Sequence, residues 1–591
     1  MKYLFVLFFS LNLFAAPSYV VHSVSAEVDK LYGTGGLKLA VLDKAKYIQK
    51  LGHEIKLIMP YYTVLDDLEL TNIQVLSSDL SVIMNHGQSI FTYDVVQFDH
   101  PTEPQLKVIA IKHKPGEGYA NIFNNKTNNG TKVYSLHPNE GEVFGFFSKA
   151  YTHWMDKISL KSQPDYVILN DWHTGFTSAL LKERKEKYLA KLANNTSPAM
   201  SKKVPYIQFV VHNLKYQGIF DPNVFGWIGL DLNLFHSTEM NNMTNFLKTG
   251  FIHSDEIEAV SGNYAKEITT SRFAEGLESI TAQAVNEGRL TGQLNGIDPS
   301  KWNPQTPNTG NPQLDQLGFS TDDLSNKKKG RDFLIKKIFN INPSADTVLI
   351  ALTARLDQQK GFDFLVGDNG VFEKVLSDTS IDIKFVIAGD PHGEVDKSLY
   401  VQEIRKLEQK YPQQIRLFSF SDELERSFLY FSDFYLGASI FEPSGLAQMF
   451  AQSVGTPPIV SRVGGHVDSV AEGKTGFLFD LNFQHNQLNH AQTADNTYKK
   501  IKEAALAHQD EDTFSNIVKS TMNKNNSWGN RVTSFQNFME LAAIGFFDHE
   551  YNQRTNYVHQ KIIDVNKAAK SIRAGGGLCS IPLISAPGLR F

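Results

Sequence analysis

The chain has 591 residues, enough for about two or three domains, with 41% hydrophobic residues, 20% charged residues and a net charge of −5. That balance suits a globular protein and, without a long basic stripe, gives no electrostatic case for nucleic acid as a partner. Cys579 is the one cysteine, which excludes an intramolecular disulfide and a zinc site built on cysteines.

At the start, Lys2 precedes an apolar run from Tyr3 to Leu13, and Ala15 and Ala16 offer a cleavage site. This grammar predicts an export signal over residues 1–16 and a periplasmic or secreted protein. The run is too short for an ordinary spanning helix, and no later segment is long and apolar enough, so no membrane segment is expected after cleavage. The alternative is a first core strand in a cytoplasmic protein.

Tyr19–Val24 then reads as a strand, Tyr32–Gly36 as a glycine turn, and residues 39–52 as a helix. HEIKLIMP (53–60), DYVILND (165–171), VPYIQFVVHN (204–213) and EIEAVS (256–261) read as buried strands, each followed by a loop and helical periodicity. Short β-rich runs alternating with helices predict parallel sheets. Residues 120–140 and 186–203, rich in Asn and Lys, read as surface loops. The polar stretch 304–316 breaks the pattern, which restarts with strands in 346–356, 383–390, 434–439 and 457–462. The fold class is therefore α/β, with two doubly wound, Rossmann-like domains over 17–295 and 296–525 facing a cleft. The Gly/Pro-rich segment 545–591 is an extension with no assigned role.

Five motifs sit at the expected strand ends, where open parallel sheets bind ligands. Thr34, Gly35 and Gly36 form a turn before a helix, either a seat for an anion or a packing device. Asp171 closes a strand and can accept from a substrate hydroxyl or cap a helix. His212, Asn213, Tyr216 and Gln217 form a polar cluster that is costly to bury without a use. Arg355 and Lys360 share a loop and can straddle a diphosphate or lie solvated. Glu442, before Pro-Ser-Gly445-Leu446, can hold sugar hydroxyls or only complement a helix dipole. The acidic run Asp510-Glu511-Asp512 reads as a solvated helical face, so no metal site is expected.

In this order and spacing, from about Tyr19 to Ala543, the motifs resemble those of bacterial glycogen synthases and plant starch synthases. LGHEIKLIMPYY (51–62), NFLKTGFIHSDEIEAVSGNYAKEI (245–268), GRLTGQLNGIDPSKWNP (288–304) and SWGNRVTSFQNF (527–538) extend the match. The resemblance implies a retaining glucosyltransferase of GT-B architecture, without a metal or other cofactor. It implies ADP-glucose or UDP-glucose as donor and the non-reducing end of an α-1,4-glucan as acceptor. A helix over 526–544 would cross back to the N-terminal domain. His212 would lie by the donor glucose, Arg355 and Lys360 would neutralise the leaving diphosphate, and Glu442 would hold the glucose. Asp171, Asn213 and Asn295 would shape the sugar pocket, with Tyr216, Gln217 and Leu446 among the substrate contacts. Gly445 and Thr456 would serve the nucleotide.

The chain departs from that family's Lys-x-Gly-Gly-Leu-x-Asp-Val turn. Gly33 stands at the lysine position and Leu39 at the aspartate position, with Lys30 and Lys38 nearby. Ile440 stands where Arg is usual, and Ser444 where Cys is frequent. An exported enzyme would also not meet ADP-glucose made in a bacterial cytosol. A changed donor, a protein acceptor, and a catalytically weak glucan- or partner-binding protein are the competing readings.

Overall fold

The computed structural model describes residues 18–84, 87–116, 120–127, 130–193, 203–229, 239–390, 394–529, 531 and 535–536. The export signal, most of the expected closing helix and the tail from 545 lie outside these residues.

The first sheet begins with β1 (Val20–Val24), whose five residues are all buried. A strand covered on both faces must be apolar along its length. Helix α1 (Gly36–Lys50) follows, then β2 (Glu54–Pro60), β3 (Thr71–Met84), β4 (Ser89–His100) and β5 (Glu103–Lys114). Past helix α2 (Glu140–Met155) come β6 (Tyr166–Asn170), α3 (Gly175–Ala193) and β7 (Tyr206–Val211). Next are α4 (Phe246–His253), β8 (Glu256–Ala259), α5 (Gly262–Glu267) and β9 (Leu290–Gly292). The nine strands lie in the order β9-β8-β7-β6-β1-β2-β5-β4-β3.

This sheet is not purely parallel. Strands β3, β4 and β5 form an antiparallel meander, and β5 then pairs parallel with β2. Most of β3 is solvent-exposed, so the apolar-run signal that reveals a buried strand is missing there. Two loop expectations also change. Residues 186–193 continue α3. In 120–140, Ile122, Phe123, Asn125 and Ser135 are buried, because the Asn125 carboxamide accepts from Thr63 Oγ1 and the Val64 N–H at 3.2 and 3.1 Å.

The second sheet contains β10 (Val348–Thr353), β11 (Ile383–Ala388), β12 (Ile415–Phe418), β13 (Phe434–Gly437), β14 (Pro458–Ser461) and β15 (Phe477–Phe479). Their order is β12-β11-β10-β13-β14-β15, and every pairing is parallel. Apolar cores cover both of its faces. In each sheet the parallel strands end on one edge, and those edges carry the candidate site. The chain passes from the first sheet to the second after Gly292. It comes back at Trp528 and Phe535, which are buried in the first domain's core. The Phe535 ring stands edge-on to His53 and Tyr166, both at 5.2 Å.

Candidate active site

His212 follows β7 directly, and its Nε2 lies 3.1 Å from Asn170 Oδ1. Asn170 spends its amide N–H groups on Ser23 Oγ and the Val24 carbonyl at 3.2 and 3.0 Å. Its oxygen therefore faces the imidazole, which places the proton on Nε2 and leaves Nδ1 as an acceptor. Burial, with the Lys44 ammonium behind it, lowers the His212 pKa to about 3. At neutral pH this histidine is an uncharged hydrogen-bonding group.

Asp171 has φ +63° and ψ −179°, a region nearly reserved for glycine and costing about 1–3 kcal/mol. The strained turn holds a buried carboxyl whose Oδ1 accepts from the Trp172 N–H at 3.1 Å. Burial pushes its pKa well above the usual range, with a further push from the Glu27 charge. Beside it His173 stacks on Trp172 at 4.0 Å, and neither ring nitrogen has a partner among the described residues.

The opening turn is built around Glu27, a residue not anticipated from the motifs. Its carboxylate accepts from the Thr34 N–H at 3.1 Å and from the Tyr134 hydroxyl at 2.8 Å. The amide that a phosphate would use at Thr34 is thus taken by the chain's own carboxylate. Gly33 has φ +148°, and a Cβ there would stand 2.7 Å from Glu27 Oε2 and 3.0 Å from Lys38 Cβ. Lys38 therefore fills space beside the vacated position, with its ammonium 4.0 Å from Asp29. Lys30 is exposed. Gly35 faces open space, and a Cβ at Gly36 would be 3.4 Å from Leu446 of the opposite domain.

On the opposite rim, Lys360 Nζ donates to Glu442 Oε2 at 2.6 Å, and the Ser439 hydroxyl donates to the same oxygen at 2.7 Å. Burial would raise the Glu442 pKa, but the Lys360 ammonium, together with His466 and the Ser439 hydroxyl, more than offsets this and holds it below its ordinary value. The site thus keeps an ionised, pre-oriented carboxylate next to a cation. Arg355 follows β10, its side chain 43% exposed and 3.5 Å from Asp357. Its guanidinium makes one further bond, to Gln359 Oε1 at 3.3 Å, so most of its donor fork faces solvent.

The two rims touch. Lys215 Nζ lies 5.5 Å from the centre of the Phe441 ring. The Asn295 N–H donates to Ser444 Oγ at 3.3 Å, and the Asn295 carbonyl accepts from Arg531 at 2.5 Å. Gly445, at φ +69°, lets the chain turn into the short helix Ala447–Ser453. Asn213 accepts from the Lys215 N–H at 3.1 Å, and Tyr216 is 45% exposed. Two residues expected among the substrate contacts have their side chains engaged within the fold. The Thr456 hydroxyl is fully buried, donates to the Leu429 carbonyl at 2.6 Å and accepts from Lys327 at 2.8 Å. The Gln217 side chain joins the Glu275 carbonyl at 2.8 Å to Asn245 at 2.7 Å.

Residues 20–283 match the family model described as the starch synthase catalytic domain, and residues 335–505 that of glycosyl transferases group 1. A glycogen synthase of Opitutus terrae is 31% identical over 458 residues, covering 77% of this chain and 86% of that one. A glycogen synthase of Bacillus cereus is 28% identical over 514 residues, covering 85% and 95%. The structure of the catalytic domain of starch synthase IV from Arabidopsis thaliana, bound to ADP and acarbose, superposes with a TM-score of 0.71 at 23% identity, covering 89% of this chain and 99% of that one. Together these matches, over nearly the whole length of both domains, show that the chain belongs to the glycogen/starch synthase family.

Proposed function

We propose that the protein transfers glucose from a nucleoside-diphosphate glucose to the non-reducing end of an α-1,4-glucan with retention of configuration. The observation that carries this reading is the Lys360–Glu442 contact at 2.6 Å, with Arg355 beside it and His212 on the facing rim. In this reading Glu442 accepts from the glucose hydroxyls. Lys360 and the free fork of Arg355 take up charge as the diphosphate leaves, which is the largest electrostatic demand of such a transfer. His212, uncharged, orients the sugar through Nδ1 and its backbone. The donor site works without a cation at residue 33.

Export by way of residues 1–16 is part of the proposal. In an exported enzyme the donor is one available outside the bacterial cytosol, such as UDP-glucose in a host cell, and a protein acceptor becomes the second reading. The test is release of nucleoside diphosphate from ADP-glucose and UDP-glucose, with and without glycogen. Glycogen-dependent release supports the glucan reading. Release that needs a protein substrate instead moves the assignment to the second, and no release in any arm overturns both. N-terminal sequencing of the mature protein tests export, which an intact Met1 overturns.

A further inference from the structure

Three hydrogen bonds run between the segment Ser261–Glu267 of the first domain and the second domain. The Ser261 hydroxyl donates to the Pro443 carbonyl at 2.6 Å. Glu267 Oε1 accepts from the Gly464 N–H at 2.9 Å. The Asn263 N–H donates to Asp468 Oδ2 at 2.8 Å. Asn263 and Glu267 lie on α5; Gly464 and Asp468 lie on the helix Gly464–Ser469. The two short helices therefore each present a carboxylate to the other's first turn. One further bond links this grip to the reacting centre, because the Gly465 N–H donates to the Glu442 carbonyl at 2.9 Å.

We infer that Glu267 is a positioning residue for the transfer. On closure of the cleft its carboxylate seizes the Gly464 amide and so fixes the backbone of Glu442 from the opposite domain. This rests on the proposed function, in which Glu442 holds the donor glucose. The donor site is then complete only when the domains meet, which couples chemistry to the exclusion of water.

The surroundings of Glu267 give the contact a pH signature. Oε1 also accepts from the Asn263 side chain at 2.8 Å, while Oε2 is buried without a partner among the described residues. Burial raises the carboxyl to about 7, against the pull of the Gly464 and Asn263 bonds and with a push from Asp468. Asp468 is the charged group facing it from the opposite helix, and Lys524 acts on Asp468 from beyond. Tyr264, on the same helix as Glu267, feels its charge. In an open, solvated cleft the carboxyl has its ordinary value. Closure thus favours the protonated form, so it weakens as pH rises from the ordinary carboxyl value of 4.5 to about 7 and is level above that. Protonation of Oε2 leaves Oε1 able to accept from Gly464.

The test compares the full-length wild type with Glu267→Ala and Glu267→Gln. In Glu267→Ala kcat is expected to fall by about tenfold or more, as for a misplaced catalytic group, with the donor KM much less changed. Glu267→Gln keeps the acceptor oxygen and is expected to restore kcat at pH 6. It should also remove the decline that the wild type shows as pH rises toward about 7, beyond which the wild-type profile levels off. Small-angle scattering with saturating ADP, and separately UDP, reads closure without turnover. The wild type and Glu267→Gln are expected to compact, and Glu267→Ala is expected not to. Compaction of Glu267→Ala equal to the wild type, or an unchanged kcat in it, overturns the assignment. Absence of wild-type turnover counts against the proposed function alone, and scattering then decides the role of Glu267.

Discussion

Gly33 looks, from sequence, like a lysine lost from an otherwise intact turn, and the obvious repair is to put it back. The structure argues against that repair. A side chain at 33 enters the space of Glu27 and Lys38 and adopts a φ of +148°, so Gly33→Lys is expected to destabilise the fold by about 1–3 kcal/mol and to give no gain in nucleoside-diphosphate release. Chemical denaturation and the release assay check both. Lys360 is the opposite case, since its contact with Glu442 is made before any substrate arrives. In Lys360→Met the main offset to burial is lost while the Ser439 hydroxyl still donates to the carboxylate, and the Glu442 pKa rises. Turnover is expected to fall by about 100-fold or more, with the residual activity regained as pH rises; a flat pH profile would contradict the pairing. The residues in these arguments were unequally legible. Glu442, Lys360 and His212 stand in dense polar motifs at strand ends. Glu27 and Glu267 were hidden because an isolated glutamate carries no spacing signal, and only the fold reveals the amides they accept from. The place of the Thr456 hydroxyl was illegible for the converse reason, because a threonine after a glycine does not disclose whether its hydroxyl faces a cleft or a core.

At the scale of elements, α1 does more than follow the glycine turn. Its Lys44 is buried against Glu258 of β8 at 2.7 Å and Gln208 of β7 at 3.2 Å, pinning helix to sheet beneath His212. Lys44→Met leaves Glu258 as an unpaired buried charge, expected to cost about 3–5 kcal/mol, seen as an earlier first transition in denaturant. It also removes the charge that adds to burial in holding the His212 pKa down, so that value is expected to rise, as read by NMR titration. The parallel strands were legible because runs such as VVHSV and YIQFVV are apolar throughout, as burial on two faces demands. The β3–β5 meander was not, because β3 lies at the sheet edge and mixes polar and apolar residues without a strict period.

Across the whole molecule, the connection after β9 is knit into α1. Lys46 bridges Glu103 and Asp298 at 2.5 and 2.6 Å, and Lys301 stands 3.5 Å from Asp43 and 3.9 Å from Asp29. Burial raises the Asp43 carboxyl to about 6, against the pull of Lys301. A raised carboxyl pKa favours the folded state fully below the unfolded value, and this is lost as pH rises through about 6. Asp43→Asn is therefore expected to raise stability at pH 7.5 by about 3 kcal/mol relative to wild type and to change little near pH 4. Thermal melts at the two pH values check it. The two-domain architecture was legible from the repeated strand–loop–helix order and its break at 304–316, whereas the contacts between domains were not, since they join residues some 200 positions apart, such as Glu267 and Gly464. The return of the chain to the first domain has its own consequence. Because Phe535 is buried beside His53 and Tyr166, the molecule is laced twice across its waist. A protease that cuts once at the exposed Gln305–Thr306 link should yield two fragments that still migrate as one particle in native gels and separate only in denaturant.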